Sequence, residues 1–240
     1  MNRFIGPTTA CWQSILPAGC VLPEAPFRYR YPARLPDGTT LELPLRQVPG
    51  EDDQAVASLI ANQASFEVVS ALTLHMADLA RGFAPTAIVG LPTLGLAFAP
   101  GVAAAIGHAR YVPLGYSRKY WYDDRLSVPV RSLTTPGAGK TLYLDPNIRS
   151  LLDGGRILIV DDAVSTGQTL AASLDLLSPI AAQGGGSIVG AVVAMIQGER
   201  WRERLGAAYP DWPARVRGVF YSPRLRWMGE GWVPVNPTCH

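Results

Sequence analysis

The sequence predicts an α/β protein whose core is a doubly wound, mainly parallel sheet. Short apolar, β-branched runs alternate with helical apolar patterns through the middle of the chain, which is typical of βαβ units. Turns rich in small residues follow two of these runs, at residues 90–95 and 163–167. Ligands of such sheets bind at the carboxyl ends of strands, where the strand order reverses. We therefore expect the functional residues in these turns.

The first part of the chain precedes the alternating pattern. Residues 1–25 are rich in proline and aperiodic, which predicts a loosely ordered arm. Residues 27–45 contain two alternating runs around an Asp-Gly pair, which predicts a β-hairpin. Residues 52–81 carry apolar side chains near helical spacing and end before a glycine, which predicts one long helix.

The alternating part supplies the strands and helices of the predicted sheet. The strands are expected at residues 86–90, 110–114, 142–144, 157–160, 187–196 and 216–221, and the helices at 94–106, 169–177 and 199–205. Residues 115–140 form a long polar and aromatic insertion without a regular pattern. We expect three parts: an arm and hairpin at 1–50, a core at 51–221 and a tail at 222–240.

Composition and charge limit the possible classes of function. The 240 residues carry a formal net charge of only +2, which gives no support to nucleic-acid or membrane-surface binding. The chain has three cysteines, Cys11, Cys20 and Cys239. An odd number without a C-x-x-C motif indicates neither a disulfide framework nor a zinc site. Free thiols fit a reducing compartment, and we expect a cytoplasmic protein.

Two segments of the chain bear on whether the protein is targeted to a membrane. The first 20 residues have no continuous apolar stretch, so they do not predict a secretory signal. Residues 82–109 contain no charged side chain and are long enough to cross a bilayer. Their prolines and glycines, and their strand–loop–helix pattern, favour a soluble fold instead.

The most informative stretch is residues 156–170, RILIVDDAVSTGQTL. An apolar strand leads to two adjacent carboxylates, Asp161 and Asp162, and a turn of small residues then opens a helix. The first amides of a helix lack partners and its dipole favours an anion, so this turn predicts phosphate binding. Carboxylates suit another polar part of the ligand, such as vicinal ribose hydroxyls. The alternative is an ordinary strand–turn–helix with an aspartate cap.

This stretch resembles the phosphoribosyl diphosphate signature of the type I phosphoribosyltransferases: four apolar residues, two acids, two apolar residues, a small residue and Thr-Gly-x-Thr. The resemblance implies that Asp161 and Asp162 are catalytic: they would bind the ribose hydroxyls and offset the positive charge of an oxocarbenium-like transition state. It also implies that the turn binds the 5′-phosphate of the donor. The residues expected to do so are Ala163, Val164, Ser165, Thr166, Gly167, Gln168 and Thr169.

The glycine-rich turn at residues 90–95 is the second candidate for anion binding. Backbone amides can approach a diphosphate closely where glycine has no Cβ, although such turns also serve packing. Its position resembles the diphosphate loop of the same family. The expected binding residues are Leu91, Pro92, Thr93 and Leu94. Many members carry a lysine or arginine in this loop, whereas this chain has neither. The resemblance therefore implies that backbone amides and magnesium contribute more of the diphosphate binding. Substrate oxygens and water would hold the magnesium, with Asp161 or Asp162 contributing through water.

The insertion begins with a segment at residues 115–125 that is rich in aromatic and basic side chains. A long irregular segment in a compact domain is usually a lid or a binding loop, and a solvated loop with aromatic anchors is the alternative. Members of the family have a flexible catalytic loop here, which closes over the diphosphate and excludes water. The resemblance therefore makes Arg118 and Lys119 candidate catalytic residues.

Residues 84–206 most resemble the adenine phosphoribosyltransferases, through the approach to the signature at 142–156 and the basic segment at 198–206. Ser165 stands where hypoxanthine-type enzymes carry an aspartate base. The resemblance implies transfer to a purine-like base, adenine first, in nucleotide salvage by a homodimer. The catalytic-loop glutamate of adenine enzymes would fall near Thr134, where no acid stands. A sensor of phosphoribosyl diphosphate without catalysis, and a scaffold with a vestigial pocket, therefore remain alternatives.

Two segments compete for the role of a hood over the base. The tail contains Trp227 and Trp232, and aromatic side chains stack on bases with about 1–3 kcal/mol per base. These tryptophans are equally well explained by packing. The arm and hairpin at residues 27–45 are the other candidate.

Overall fold

The computed structural model describes residues 10–130 and 139–235. The strands are β1 (Ile15–Leu16), β2 (Arg30–Arg34), β3 (Thr40–Gln47), β4 (Gln54–Ala57), β5 (Ala87–Gly90), β6 (Val112–Gly115), β7 (Ser127–Val130), β8 (Lys140–Leu144), β9 (Arg156–Val164), β10 (Ser187–Gln197), β11 (Val216–Ser222), β12 (Arg224–Trp227) and β13 (Trp232–Pro234). The α-helices are α1 (Phe66–Arg81), α2 (Ala99–Ala105), α3 (Gln168–Gln183) and α4 (Arg200–Ala208).

The larger sheet, here the core sheet, has seven strands in the order β11-β10-β9-β5-β6-β8-β7. The strands from β11 to β6 are parallel to their neighbours, and β8 and β7 add an antiparallel edge. The chain runs outward from β5 to β6 and later returns to β9 on the other side of β5. The strand order therefore reverses between β5 and β9, and the turns after these strands lie beside each other. The predicted fold class is confirmed.

Helices cover both faces of the core sheet, which explains why its central strands are almost wholly apolar. Leu158 and Val160 of β9 pack on one face in a cluster that includes Leu72 of α1. Ile157 and Ile159 pack on the other face with helices α3 and α4. All of these side chains are fully buried. Burying each contributes about 1.5–3 kcal/mol to stability, so this packing fixes the strand that carries the two aspartates.

A second sheet, here the terminal sheet, is built from both ends of the described chain. Its order is β1-β3-β4-β12-β13, and β2 also pairs with β3. The hairpin predicted around Asp37 and Gly38 is present as β2 and β3. Phe27 and Trp232 exchange backbone hydrogen bonds of 2.8 and 2.6 Å. The two segments that competed for the role of a hood therefore belong to one sheet.

The predicted helix over residues 52–81 is wrong in its first half. Residues 54–57 form β4, which pairs with β3 and β12 in the terminal sheet. Helix α1 begins only at Phe66, after Ser65, whose Oγ accepts a hydrogen bond from the Val68 amide at 3.2 Å. The apolar spacing of these residues fits both a short buried strand and a helix segment. Pairing with distant strands decides between the two structures, and a local pattern does not reveal that pairing.

Two further expectations need correction. The insertion at 115–140 is not wholly irregular, because Ser127–Val130 forms β7 and pairs with β8. The signature strand does not stop at the aspartates: β9 continues to Val164, because β10 pairs alongside it as far as Ile196. Within the described ranges, no helix combines the length and the apolar character needed to cross a membrane.

Candidate functional site

The two aspartates lie at the carboxyl end of β9, beside the point where the strand order reverses. The Asp161 side chain is buried, and its Oδ1 accepts a hydrogen bond from the Asp162 amide at 2.9 Å. Burial, together with the charge of Asp162, raises the pKa of Asp161 well above its usual range. Burial also raises the pKa of Asp162. The fold thus holds two carboxyl groups whose ionised forms are disfavoured until a positive charge arrives.

The signature turn after Asp162 forms a small pocket at the start of α3. Gly167 precedes the helix with a φ of 73°, a left-handed conformation that favours glycine. A Cβ at this position would also lie 3.3 Å from the backbone oxygen of Trp201. No side chain caps the first turn of α3 from this position. The pocket, of about 140 Å³, is lined by Ile159, Asp161, Ala163, Val164, Ser165, Thr166, Gly167, Thr169, Leu170, Ala191 and Val193.

The glycine-rich turn after β5 packs directly against this carboxylate. The Leu91 amide donates to the Val160 carbonyl oxygen at 2.9 Å. A Cβ on Gly95 would lie only 2.7 Å from Asp161 Oδ1, so no larger residue fits without displacement. Leu91 and Pro92 are buried, Thr93 is exposed, and the Pro92–Thr93 peptide is cis. The structure therefore brings both sequence-predicted turns against one side chain, Asp161.

The basic residues of the insertion form ion pairs within the insertion. Arg118 Nε lies 2.9 Å from Asp124 Oδ1, and Arg125 Nη2 lies 2.7 Å from Asp123 Oδ2. Lys119 is exposed. These contacts do not join Arg118 or Lys119 to the two aspartates of the signature, and their catalytic role stays a prediction. The position expected for a loop acid, near Thr134, falls outside the described residues.

Tyr116, which the sequence did not single out, lies at the site. Its side chain is half-buried. Burial raises its pKa, and the charges of Asp161 and Asp162 add to that effect. Lys140 Nζ lies 4.9 Å from the centre of its ring. Tyr116 directly follows β6, whose carboxyl end shares an edge with those of β5 and β9, and this position was the signal that could have identified it.

Gln197 joins the signature turn to the terminal sheet. Its Nε2 donates to the Ala57 carbonyl oxygen at 2.7 Å, and its Oε1 accepts from Ser165 Oγ at 2.9 Å. It is the last residue of β10, so its backbone is fixed by the core sheet. Ala57 precedes it by 140 residues, and no local pattern could have predicted this bridge.

A cleft of about 350 Å³ lies between the terminal sheet and the signature turn; we call it the intersheet cleft. It is lined by Arg46, Gln47, Val48, Pro49, Glu51, Val56, Ser165, Thr166, Gln197, Gly198, Glu199, Arg200 and Arg224. Trp227 and Trp232 do not line it. Their rings pack edge to face, 5.1 Å apart, and Trp232 is buried. The tail therefore contributes Arg224 to the cleft, and its tryptophans pack against each other.

The donor set at the two aspartates fits a hydrated magnesium ion. Among residues 10–130 and 139–235, no group of three or more His, Cys, Asp and Glu is placed to hold a metal. Asp161 and Asp162 supply carboxylate oxygens, the ligand type that magnesium prefers. Two carboxylates are enough for an ion that keeps most of its water ligands and is also bound by oxygens of the substrate.

A family model described as a phosphoribosyl transferase domain matches residues 56–218. The chain therefore belongs to the phosphoribosyltransferase family, as the signature predicted. The chain is 32% identical over 158 residues to the adenine phosphoribosyltransferase of Frankia casuarinae, a match that covers 66% of this chain and 77% of that protein. It is 34% identical over 147 residues to the adenine phosphoribosyltransferase of Parafrankia sp., covering 61% and 72%.

Solved structures share the fold at low sequence identity. An APRTase from Giardia lamblia, complexed with 9-deazaadenine, matches with a TM-score of 0.56 and 18% identity over 75% of this chain and 93% of that one. The adenine phosphoribosyltransferase of Thermoanaerobacter pseudethanolicus matches with a TM-score of 0.53 and 16% identity, over 75% and 95%. The fold identified from the order of strands and helices is thus that of known phosphoribosyltransferases.

Proposed function

We propose that this protein transfers the 5-phosphoribosyl group from phosphoribosyl diphosphate to adenine and releases diphosphate, in purine salvage. The observation that supports the proposal is the close approach of Gly95 to Asp161, because one ligand could then contact both the turn after β5 and the two aspartates. The names of the relatives from Frankia casuarinae and Parafrankia sp. support adenine as the acceptor and favour catalysis over a sensing role.

In this proposal each part of the donor has its own binding group. The amides of residues 163–169 and the hydroxyls of Thr166 and Thr169 bind the 5′-phosphate. The amides of Thr93 and Leu94 bind the diphosphate, because Pro92 has no amide N–H and the Leu91 amide already donates to the Val160 carbonyl oxygen. Asp161 and Asp162 bind the ribose hydroxyls. The donor then bridges the two turns, with its C1 carbon above the switch point.

The raised pKa values give the aspartates an electrostatic role. Ionised carboxylates are costly in this buried position, but they become favourable when the ribose ring gains positive charge as diphosphate leaves. Asp161 and Asp162 would hold magnesium through water, and the ion when bound supplies positive charge to the leaving diphosphate. Arg118 and Lys119 would add positive charge if the segment 115–125 closes over the site.

The intersheet cleft is the proposed acceptor site, with the terminal sheet as the hood. It opens beside Ser165 and Thr166, so a base in it lies next to the sugar-phosphate. Its apolar lining, which includes Val48, Pro49 and Val56, suits a planar ring. We further propose a cytoplasmic homodimer: the unpaired thiols of Cys11 and Cys20 fit a reducing compartment.

The direct test measures diphosphate release with phosphoribosyl diphosphate, magnesium and one base at a time: adenine, guanine, hypoxanthine, xanthine, orotate or uracil. We expect adenine to give the highest kcat/KM. Binding of phosphoribosyl diphosphate without release from any base would support the sensing alternative. No binding of the donor at all would support a scaffold.

A further inference from the structure

Two oppositely charged side chains from distant parts of the chain meet inside the intersheet cleft. Glu51 lies in the turn between β3 and β4, and Arg224 begins β12. Arg224 Nη2 and Glu51 Oε2 are 3.3 Å apart, and the two side chains are 21% and 35% exposed. Both line the cleft. The pair therefore presents an N–H donor beside a carboxylate acceptor on the surface that faces the signature turn.

The backbone of this arginine is held in the terminal sheet, and its stem lies against the residue that follows β10. Its backbone pairs with Val56 in β4, and its carbonyl oxygen accepts from the Val235 amide at 2.8 Å. Its stem runs past Gly198, where an added Cβ would lie 3.5 Å from Arg224 Cγ. The backbone and stem of Arg224 are thus placed before a ligand binds, and the ion pair with Glu51 orients the guanidinium, which favours selective hydrogen bonding.

The Nε–H of Arg224 is buried and has no hydrogen-bond partner among the described residues. Buried N–H groups are nearly always paired, and Arg224 also lines the cleft, so this unpaired N–H indicates an acceptor atom that reaches it when a ligand enters and the guanidinium turns towards the ligand. The second nitrogen of the same guanidinium is already engaged by Glu51. The missing partner therefore has to be an acceptor that lies next to the carboxylate.

We propose that Glu51 and Arg224 read the edge of the acceptor base and select a 6-aminopurine; this rests on the proposed function. Arg224 Nε–H donates to a ring nitrogen, and the Glu51 carboxylate accepts from the exocyclic amino group. On either edge of adenine that contains the amino group, a ring acceptor adjoins an N–H donor. A 6-oxopurine puts its oxygen where the amino group stood, so two acceptors would face each other at Glu51.

The test compares adenine and hypoxanthine as acceptors for Glu51→Gln and Arg224→Met. An amide at position 51 can donate to an oxo group, so we expect Glu51→Gln to lower the adenine-to-hypoxanthine ratio of kcat/KM. The decrease should be about 10- to 100-fold, the scale of one charge-assisted hydrogen bond. Arg224→Met keeps the stem beside Gly198 and should raise the adenine KM. The KM for phosphoribosyl diphosphate should change less than about twofold in both, since neither group reaches the donor.

The neighbouring ion pair of Arg226 and Asp53 supplies the matched control. It joins the same strand and the same turn, but its atoms are 3.8 Å apart, both side chains are more than half exposed, and neither lines the cleft. Asp53→Asn and Arg226→Met should leave the base preference unchanged. Thermal unfolding of all four variants checks that differences in activity do not come from loss of the fold.

Equilibrium binding of adenine and hypoxanthine, with ribose 5-phosphate present, separates the two proposals. In one outcome, the protein binds adenine without releasing diphosphate. If Glu51→Gln then weakens that binding, base recognition by Glu51 and Arg224 is supported and the proposed reaction is overturned. If Glu51→Gln turns over adenine with an unchanged base preference, Glu51 and Arg224 do not select the base, and the proposed reaction is still supported.

Discussion

At the scale of single residues, burial of the Asp161 carboxyl group is expected to cost the folded protein stability. Its carboxyl group is buried beside a second acid, and its pKa is raised well above the usual range by that burial and by the charge of Asp162. A structural residue in this position would be apolar, like Val160 before it. The cost is understandable if a cationic sugar or metal ion, absent from the unliganded protein, offsets the charge in use.

Asp161→Asn should therefore stabilise the protein while it removes activity. The folded state holds the Asp161 proton more tightly than the unfolded chain, so the wild type loses stability as pH rises above about 4 and up through the raised pKa. Asparagine does not titrate. Its stabilising effect should be absent near pH 4 and largest above the raised pKa, and kcat should fall about 100-fold or more.

Urea unfolding from pH 4.5 to 8, together with diphosphate release, measures both effects. Asp211→Asn is the control, because Asp211 is exposed and should change neither quantity. A variant that unfolds more easily than wild type at pH 8 would contradict the electrostatic cost assigned to Asp161.

At the scale of elements, the close packing of the turn after β5 against β9 is what makes one site from two turns. Both turns were predictable from the sequence, because each joins a strand to a helix and contains the small residues that close approach demands. Their contact was not predictable in detail. It depends on the reversal of strand order between β5 and β9, which is set by pairing between residues about 70 positions apart.

Gly95→Ala tests this packing. The added methyl group would lie 2.7 Å from Asp161 Oδ1 and 3.0 Å from the Val160 carbonyl oxygen, so the turn has to move away from β9. We expect a loss of about 1–3 kcal/mol in the free energy of unfolding and a larger relative loss of kcat/KM for phosphoribosyl diphosphate. Gly206→Ala, whose methyl group meets only an ordinary contact at 3.5 Å, is the control. Full activity in Gly95→Ala would show that the turn does not act with Asp161.

The predictions from sequence that were wrong concern the type and the ends of secondary-structure elements. The predicted helix at 52–81 contains β4, because pairing with β3 and β12 overrides a local pattern that fits either structure. Similarly, β9 extends through both aspartates because β10 supports it, although carboxylates usually mark the end of an apolar strand. Signals within a few residues were sufficient for the motif. Signals that depend on partners elsewhere in the chain were not.

At the scale of the whole molecule, the proposed acceptor cleft depends on how the terminal sheet packs against the core sheet. The terminal sheet collects strands from both ends of the chain, so neither end alone could have indicated it. The intersheet cleft combines Arg46 and Glu51 from the first part of the chain, Thr166 from the signature and Arg224 from the tail. The lining of this cleft therefore depends on tertiary packing, which local sequence signals do not encode.

Gln197 connects these two sheets, and Gln197→Leu should loosen the connection. The substitution leaves the Ala57 carbonyl oxygen and Ser165 Oγ without the partners they have at 2.7 and 2.9 Å. We expect a loss of about 1–3 kcal/mol in the free energy of unfolding and a higher KM for adenine, because the cleft lies between the separated parts. Gln183→Leu, at the exposed end of α3, is the control.

A double-mutant cycle with Ser165→Ala decides whether the bridge acts as a unit. If Gln197 positions the signature turn through Ser165, the serine substitution should cost less in the Gln197→Leu background than in the wild type, by about 0.5 kcal/mol or more. Unfolding in urea and the KM for adenine should show the same coupling, since both depend on one hydrogen-bonded link between the sheets. Strict additivity in both measurements would mean that Gln197 does not act through Ser165, and that its effect comes from its hydrogen bond to the Ala57 carbonyl oxygen alone.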